Sequence, residues 1–401
     1  MFGQGASPPE RDSVASVPGS NIEVFLMTMG PGDAIWERFS HNALVIRDRL
    51  AGTDVAYNWG IFDFNQADFI PRLARGRMRY WMAGYRSADM IEAYRRANRS
   101  VWLQRINLTP GQRLELQAYI GETDTEANRY YRYDYYRDNC STRIRDALDM
   151  VVGGQIRAAT AGIETGTTYR WHTARLLASV PAAYAGIQFV VGNRGDEPIS
   201  AWDEMFLPLF LQRHMGALTV TTPEGDEVPL LGPAVQVVDA QRGPVPSDAP
   251  NMIVAFLLAG VALGGLFAVL GRPAGRGRRW AAWLLALTGA GWSLVMGLLG
   301  SALLLSWFFT DHAFWGANEN AFQANPASLV LAVLLISAIA GRGRVWTTRA
   351  AAAVAAFALA GFVLQVLPGL DQVNGEILAL TLPAHVGLAW GAHRAWPPAG
   401  G

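Results

Sequence analysis

From Asn251 onward the chain consists largely of Ala, Leu, Val, Gly and Trp runs, and this stretch limits the possible folds more than any other. Five apolar segments, about 251–271, 280–308, 326–341, 350–367 and 377–392, are separated by short polar loops. A span of roughly 20 apolar residues crosses a bilayer as a helix, because a helix satisfies its own backbone hydrogen bonds where water is absent. The third and fifth segments fall short of that length, so their ends are open. Residues 251–401 are therefore expected to form an all-α membrane bundle of about five helices.

The loops orient that bundle. Arg272, Arg276, Arg278 and Arg279 follow the first segment, Arg342, Arg344 and Arg349 the third, and His393 and Arg394 the fifth. The alternate loops, 310–325 and 368–376, carry acids and no Lys or Arg. Basic loops stay on the cytoplasmic side. The expectation is a multi-pass protein of a bacterial inner membrane, with its N-terminal part in the periplasm and its C-terminus in the cytoplasm.

Hydrophobic residues make up 51% of the chain and charged ones 16%, but the apolar excess lies after 251. Residues 21–242 mix charge, aromatics and turns like a globular domain, and 243–250 read as a Pro-containing linker. Residues 1–20, rich in Gly, Pro and Ser, read as a disordered tail and do not form a signal peptide. A periplasmic placement then calls for a signal or helix upstream of Met1, or else the topology is reversed. Net charge is zero and no basic run resembles a nucleic-acid footprint, which argues against a nucleic-acid partner. No Gly-rich phosphate loop lies between a strand and a helix, so no nucleotide cofactor is implied. No ligand spacing is diagnostic of a metal.

Within the globular region, Asn21–Met29, Asn42–Arg47 and Val55–Phe62 read as strands of an antiparallel sheet, the last two joined by a hairpin loop over 48–54. Ser87 is expected to cap a helix over Ala88–Asn98, Val101–Leu108 to form a strand, and Thr109-Pro110 to open a further helix. Leu218–Val238 reads as a hairpin. The domain is therefore α+β.

Cys140 is the only cysteine. It lies in Tyr133-Asp134-Tyr135-Tyr136-Arg137-Asp138-Asn139-Cys140-Ser141-Thr142-Arg143, where an aromatic run gives way at good capping residues to a helical pattern. Cys140 thus falls at a helix N-terminus. There, free N–H groups and the helix dipole, with Arg137 and Arg143 nearby, are expected to stabilise a thiolate nucleophile. Asn139, Ser141 and Arg143 are the candidates for activating it. A small buried apolar role is the plain alternative for a lone cysteine. In an oxidising periplasm, however, an unpaired cysteine is a liability unless it is used. A thiol needs a base, and His41, where a polar turn enters a strand, is the favoured one, with His172 and His214 in reserve. Asn58 or Asp63, on the neighbouring strand and its end, could orient the imidazole.

Two further stretches stand out. Asn65–Tyr85 interleaves Arg72, Arg75, Arg77 and Arg79 with aromatics, a composition suited to lipid headgroups or to a plain solvated helix face. The loop after the second apolar segment contains Asp311, His312, Asn318, Glu319 and Asn320. It reads either as a site facing the globular domain or as an interfacial loop anchored by Trp315.

Four blocks carry a family resemblance: Val24-Phe25-Leu26-Met27-Thr28-Met29-Gly30-Pro31-Gly32, Phe39-Ser40-His41-Asn42-Ala43, Tyr57-Asn58-Trp59-Gly60-Ile61-Phe62-Asp63-Phe64 and Asp138-Asn139-Cys140-Ser141-Thr142-Arg143. Together with the membrane helices and the Asp311-His312 loop, they resemble the Lnb-type lipoprotein N-acyltransferase family. The order of histidine and cysteine is similar to that of circularly permuted papain-like domains. The resemblance implies a Cys140–His41 pair that moves an acyl chain from a phospholipid, through a thioester, to the N-terminal amine of a diacylated lipoprotein. It implies no cofactor. The competing expectations are a membrane-anchored periplasmic cysteine hydrolase, acting on peptides or lipid esters, and a non-catalytic envelope assembly protein.

Overall fold

The computed structural model describes residues 17–397. Most of the tail expected over 1–20 lies outside these residues. Its last part, 17–20, is a turn closed by Ser20 N–H on the Val17 carbonyl, and Gly19 packs against the Pro110 carbonyl.

Seven strands form one antiparallel sheet. They are β1 (Ile22–Met29), β2 (His41–Asp48), β3 (Thr53–Ile61), β4 (Arg79–Arg86), β5 (Val101–Arg105), β6 (Tyr130–Arg132) and a last strand, Val235–Val238. Across the sheet the order is Val235–Val238, β5, β1, β2, β3, β4, β6. Alternate residues of the central strands face opposite sides. Val24, Leu26, Leu44 and Ile46 pack with Ile144, Leu148 and Val151 of the helix Cys140–Val151. Met27, Met29, Ala43 and Val45 pack with Met90 and Ile91 of the helix Ser87–Arg96 on the other side. Both faces are covered, which is why β1 and β2 read as continuous apolar runs instead of alternating ones.

Some boundaries differ from the sequence reading. Asn65–Tyr85 is not one element: it divides into a short helix, Phe69–Ala74, and β4, with Gly76 at φ +67° making the turn between them. Ser87 opens its helix instead of capping it, and its hydroxyl donates to Asp54. The hairpin expected over Leu218–Val238 is only Thr219–Thr221 with Glu227–Pro229; Val235–Val238 leaves it to join the main sheet beside β5. The linker is tied down, since Arg175 donates to the Pro246 carbonyl and Tyr184 to that of Pro250.

The C-terminal region contains the long helices Ile253–Gly275, Arg279–Phe309, Ala327–Ile339, Arg344–Leu364 and Gly375–Ala395. Among the described residues four helical stretches are long and apolar enough to cross a membrane: the first, the second, the fourth, and the third when counted from Asn320. The remaining helix, Gly375–Ala395, buries Glu376, Thr381 and His385 inside the bundle. It lies closely along the first helix because glycines remove the side chains between them: a Cβ on Gly264 would sit 2.2 Å from the Pro383 carbonyl oxygen. Such close backbone approach drives helix association where lipid and side chain are equally apolar.

Candidate active site

Cys140 is the first residue of its helix, and Asn139 is the cap. Asn139 Oδ1 accepts from the N–H groups of Ser141 (2.9 Å) and Thr142 (3.0 Å), and Thr142 Oγ1 accepts in return from Asn139 N–H at 2.8 Å. The Asn139 amide also donates to the carbonyls of Tyr135 and Phe206, so it is fully used as a local brace and has no proton left for an oxyanion. His41 opens β2 opposite Met29. The next residues along, Asn42 and Ser141, are joined by a buried hydrogen bond from Ser141 Oγ to Asn42 Oδ1. Both His41 and Cys140 line a single cavity of about 760 Å³, within the size range of small-molecule sites.

The imidazole Nε2 lies 3.1 Å from Asn58 Oδ1. Asn58 Nδ2 donates to the Ala56 carbonyl at 3.0 Å, which fixes the amide orientation, so Nε2 carries the proton and Nδ1 is the free base. Burial holds His41 down to about 4, opposed by the Asn58 hydrogen bond and aided by the charge of Arg99. His41 is therefore neutral near pH 7.

The thiol departs from the expected thiolate. Burial pushes Cys140 up to about 11, although the backbone N–H groups of Asn42, Ser141 and Cys140 and the charge of Arg99 pull the other way. Desolvation outweighs the helix terminus. The resting groups are thus a thiol and a neutral imidazole.

The nearby positive charge also comes from elsewhere than expected. Arg143 is paired with Asp138 and lies over the Tyr131 ring, and Arg137 lies over Phe314. Arg99 instead lines the cavity, buried, donating to the Gly30 carbonyl at 2.8 Å and to Glu37 at 3.3 Å. The sequence gives no signal for Arg99, which ends an ordinary helix-to-strand turn.

Asp63 is not an orienting partner. It is exposed, and its carboxylate accepts from Asn65 N–H in a local turn. The reserve histidines are engaged with each other's neighbour: His172 meets Glu204 at 2.9 Å and His214 meets it at 2.6 Å. Glu204 is held down to about 2 by these two partners against its burial.

The membrane loop divides in two. Asp311 and His312, with Ala313, Phe314 and Trp315, line the same cavity as Cys140. Asp311 accepts from Arg77 Nε at 2.7 Å and lies 3.3 Å from Arg132 Nη1; His312 donates to the Leu73 carbonyl and stacks on Trp315 with ring centres 3.8 Å apart. Asn318 and Asn320 face away from it, contrary to expectation. Their buried amides donate to the carbonyls of Gln188, Phe189 and Val190, finishing the helix Pro181–Val190 and locking it to the bundle. Aromatic and aliphatic side chains dominate the rest of the lining, among them Trp36, Phe62, Tyr80, Tyr133 and Phe206. Among the described residues no group of three or more His, Cys, Asp and Glu side chains could hold a metal ion.

An α+β domain with Cys140 and His41 in one cavity, closed on one side by a membrane loop, defines a two-part membrane protein. The family comparison agrees in both parts: residues 11–179 match the Lnb N-terminal periplasmic domain and residues 252–384 the Lnb transmembrane domain. The chain belongs to the Lnb family, as a membrane protein with a periplasmic N-terminal domain. No curated protein and no solved structure matches it.

Proposed function

We propose that the protein is a membrane-bound thiol acyltransferase that moves a fatty acyl chain from a phospholipid to the N-terminal amine of a diacylated lipoprotein. The observation that carries this reading is the shared cavity: Cys140 and His41 both line it among aromatic walls, and the outer loop Asp311–Trp315 forms part of the same lining. The pairing of a cysteine at a helix start with a histidine held by an asparagine supports a permuted papain-like site. Basic loops after the first, third and fifth helices support a cytoplasmic C-terminus.

In the first half-reaction His41 Nδ1 takes the thiol proton as Cys140 Sγ bonds to the ester carbonyl carbon. The oxyanion meets the Cys140 backbone N–H, since that of Ser141 is already shared with Asn139. Collapse breaks the ester C–O bond, and His41 returns the proton to the leaving alkoxide, giving lysophospholipid and a thioester. In the second half-reaction the lipoprotein amine attacks the thioester carbon. His41 accepts the amine proton, the C–S bond breaks, and the proton restores the thiol. Desolvation by the apolar walls keeps water from competing as acceptor.

The test is the intact mass of the purified protein after incubation with vesicles of phosphatidylethanolamine and phosphatidylglycerol, beside Cys140→Ala and His41→Ala. A hydroxylamine-sensitive fatty-acyl gain, absent from Cys140→Ala and passed on to an added diacyl lipopeptide, is the expected result. An adduct that yields only free fatty acid points to the hydrolase reading. No adduct, with envelope function intact in Cys140→Ala, points to an assembly role.

A further inference from the structure

A strip of large apolar side chains lies exposed beside the cavity. Trp36 is 57% exposed, Phe64 55%, Ile70 69% and Leu73 37%. A continuous exposed patch of this kind marks an interaction surface more often than chance. Its position says what covers it. The short helix Phe69–Ala74 bearing Ile70 and Leu73 is fastened to the membrane domain at its far end: Asp311 N–H donates to the Arg75 carbonyl at 2.9 Å and His312 donates to that of Leu73 at 3.0 Å. These two residues follow, after Thr310, the apolar helix Arg279–Phe309, whose last residues, Phe308 and Phe309, are 65% and 77% exposed. The strip is thus tied to the end of a membrane-length apolar helix whose exposed phenylalanines call for a lipid covering.

The strip also leads inward. Phe69 meets Phe64 (5.3 Å between ring centres), Phe64 meets Phe62 (4.9 Å), Phe62 meets Tyr80 (5.1 Å) and Tyr80 stacks on Tyr133 (4.1 Å). Tyr133 and the Cys140 Cβ lie on the same side of Gly60, 3.8 and 3.5 Å from where a Cβ would stand there. Arg72, half-buried, and Arg75, exposed, flank the strip with positive charge of the kind that pairs with lipid phosphate.

We propose that Trp36, Phe64, Ile70 and Leu73 insert into the outer half of the bilayer and form the entrance through which an acyl chain of a membrane phospholipid passes along the aromatic ladder to Cys140. This rests on the acyl-transfer reading for its second half only, since insertion itself is independent of chemistry.

The test uses the full chain with Cys140→Ala, which removes the only thiol, carrying a single new cysteine as Ile70→Cys, Phe64→Cys or, far away on an exposed hairpin, Leu50→Cys. Each is labelled with an environment-sensitive nitrobenzoxadiazole dye in phosphatidylcholine–phosphatidylglycerol vesicles. Blue-shifted emission quenched by a nitroxide on the lipid acyl chain is expected at 64 and 70 and not at 50. Equal quenching by aqueous iodide at all three positions would overturn the insertion. In the Cys140-containing protein, Ile70→Ser with Leu73→Ser should slow thioester formation from vesicles about tenfold and leave acylation by a short water-soluble thioester unchanged. Equal slowing with both donors assigns the strip to folding and removes the entrance. Loss of acylation by the parent protein rejects the enzyme reading while the dye result still decides insertion.

Discussion

Ser141 Oγ donates a 2.9 Å hydrogen bond to Asn42 Oδ1, and Asn42 Nδ2 donates to Thr28 Oγ1 at the same distance. All three side chains are buried, and they stand one residue after Cys140, one after His41, and one before the residue paired with His41. The chain of bonds fixes the cysteine helix to the histidine strand. Asn42→Ala leaves two buried hydroxyls without partners, at a cost of about 1–3 kcal/mol each. Thermal unfolding in detergent should show a lowered Tm, and thioester formation should fall at least tenfold. Asn42→Ala with Ser141→Ala should cost less than the sum of the two single changes, because the second removes a group already orphaned. Additive losses would mean that the bond carries no coupling.

Asn58 holds the imidazole through its Oδ1. Asn58→Ala frees the ring to turn, and acylation should fall ten- to a hundredfold with little change in lipid binding. Asn58→Asp keeps the acceptor and adds a negative charge, which favours the imidazolium. The acid limb of the pH–rate profile should therefore move to higher pH in Asn58→Asp. An unmoved limb would show that residue 58 does not face the titrating base.

Burial sets both titrations of the pair. With the thiol near 11, alkylation of Cys140 by iodoacetamide should rise about tenfold per pH unit well beyond pH 8.5, where an ordinary cysteine levels off. In the proposed reaction His41 serves as base only when neutral. Since its imidazole titrates near 4, acylation should persist as pH falls through 6.5 and disappear only as pH falls through about 4. A thiol reactivity that levels off at neutral pH would instead show a preformed thiolate–imidazolium pair.

The α+β domain and the apolar helices were legible because both rest on local signals, namely strand patterns broken by turns and long uncharged runs. Cys140 and His41 were legible as residue types in local settings. What local signals cannot carry is the sum of desolvation around a group. The helix start and neighbouring arginines argued for a thiolate, but Arg143 is taken by Asp138, and burial outweighs the rest. Asn58 and Asp63 were equivalent in sequence, but Asn58 lies within β3 and is buried, while Asp63 falls past the strand end in an exposed turn. Likewise, Asp311 and Asn318 share one loop, yet one meets Arg77 at the cavity and the other caps a helix. Arg99 had no pattern at all.

Arg77, Arg132 and Asp311 join the two domains at the cavity rim. Their side chains are 63%, 53% and 35% exposed, so solvent and salt screen the pairs, and Asp311→Asn should cost no more than about 1 kcal/mol of stability. The local effect should be larger. Without the carboxylate two guanidinium groups face each other, and the segment 310–316 loses its main side-chain tether. Hydrogen exchange there should quicken in Asp311→Asn while β1 and β2 keep wild-type protection. Unchanged exchange would assign the anchoring to the Asp311 N–H bond to the Arg75 carbonyl and the His312 imidazole bond to that of Leu73.

Gly60 lies in the bulge of β3 at φ +90°, a conformation costly for any residue with a Cβ. A Cβ there would stand 3.5 Å from that of Cys140 and 3.9 Å from the Tyr131 hydroxyl, which is ordinary contact. Gly60→Ala should therefore lose stability through backbone strain, on the order of 1–3 kcal/mol, and keep a measurable rate. Gly60→Val adds two methyl groups directed at the nucleophile and the aromatic ladder, and should abolish acylation and block alkylation of Cys140. Gly52, at φ +65° on an exposed turn with nothing within 4 Å, separates the two effects. Gly52→Ala introduces a Cβ at positive φ without crowding, so it should lower Tm modestly and leave the rate unchanged. If Gly60→Val alkylates as fast as wild type, the path to the sulfur does not pass Gly60, and the approach along Tyr80 and Tyr133 is wrong.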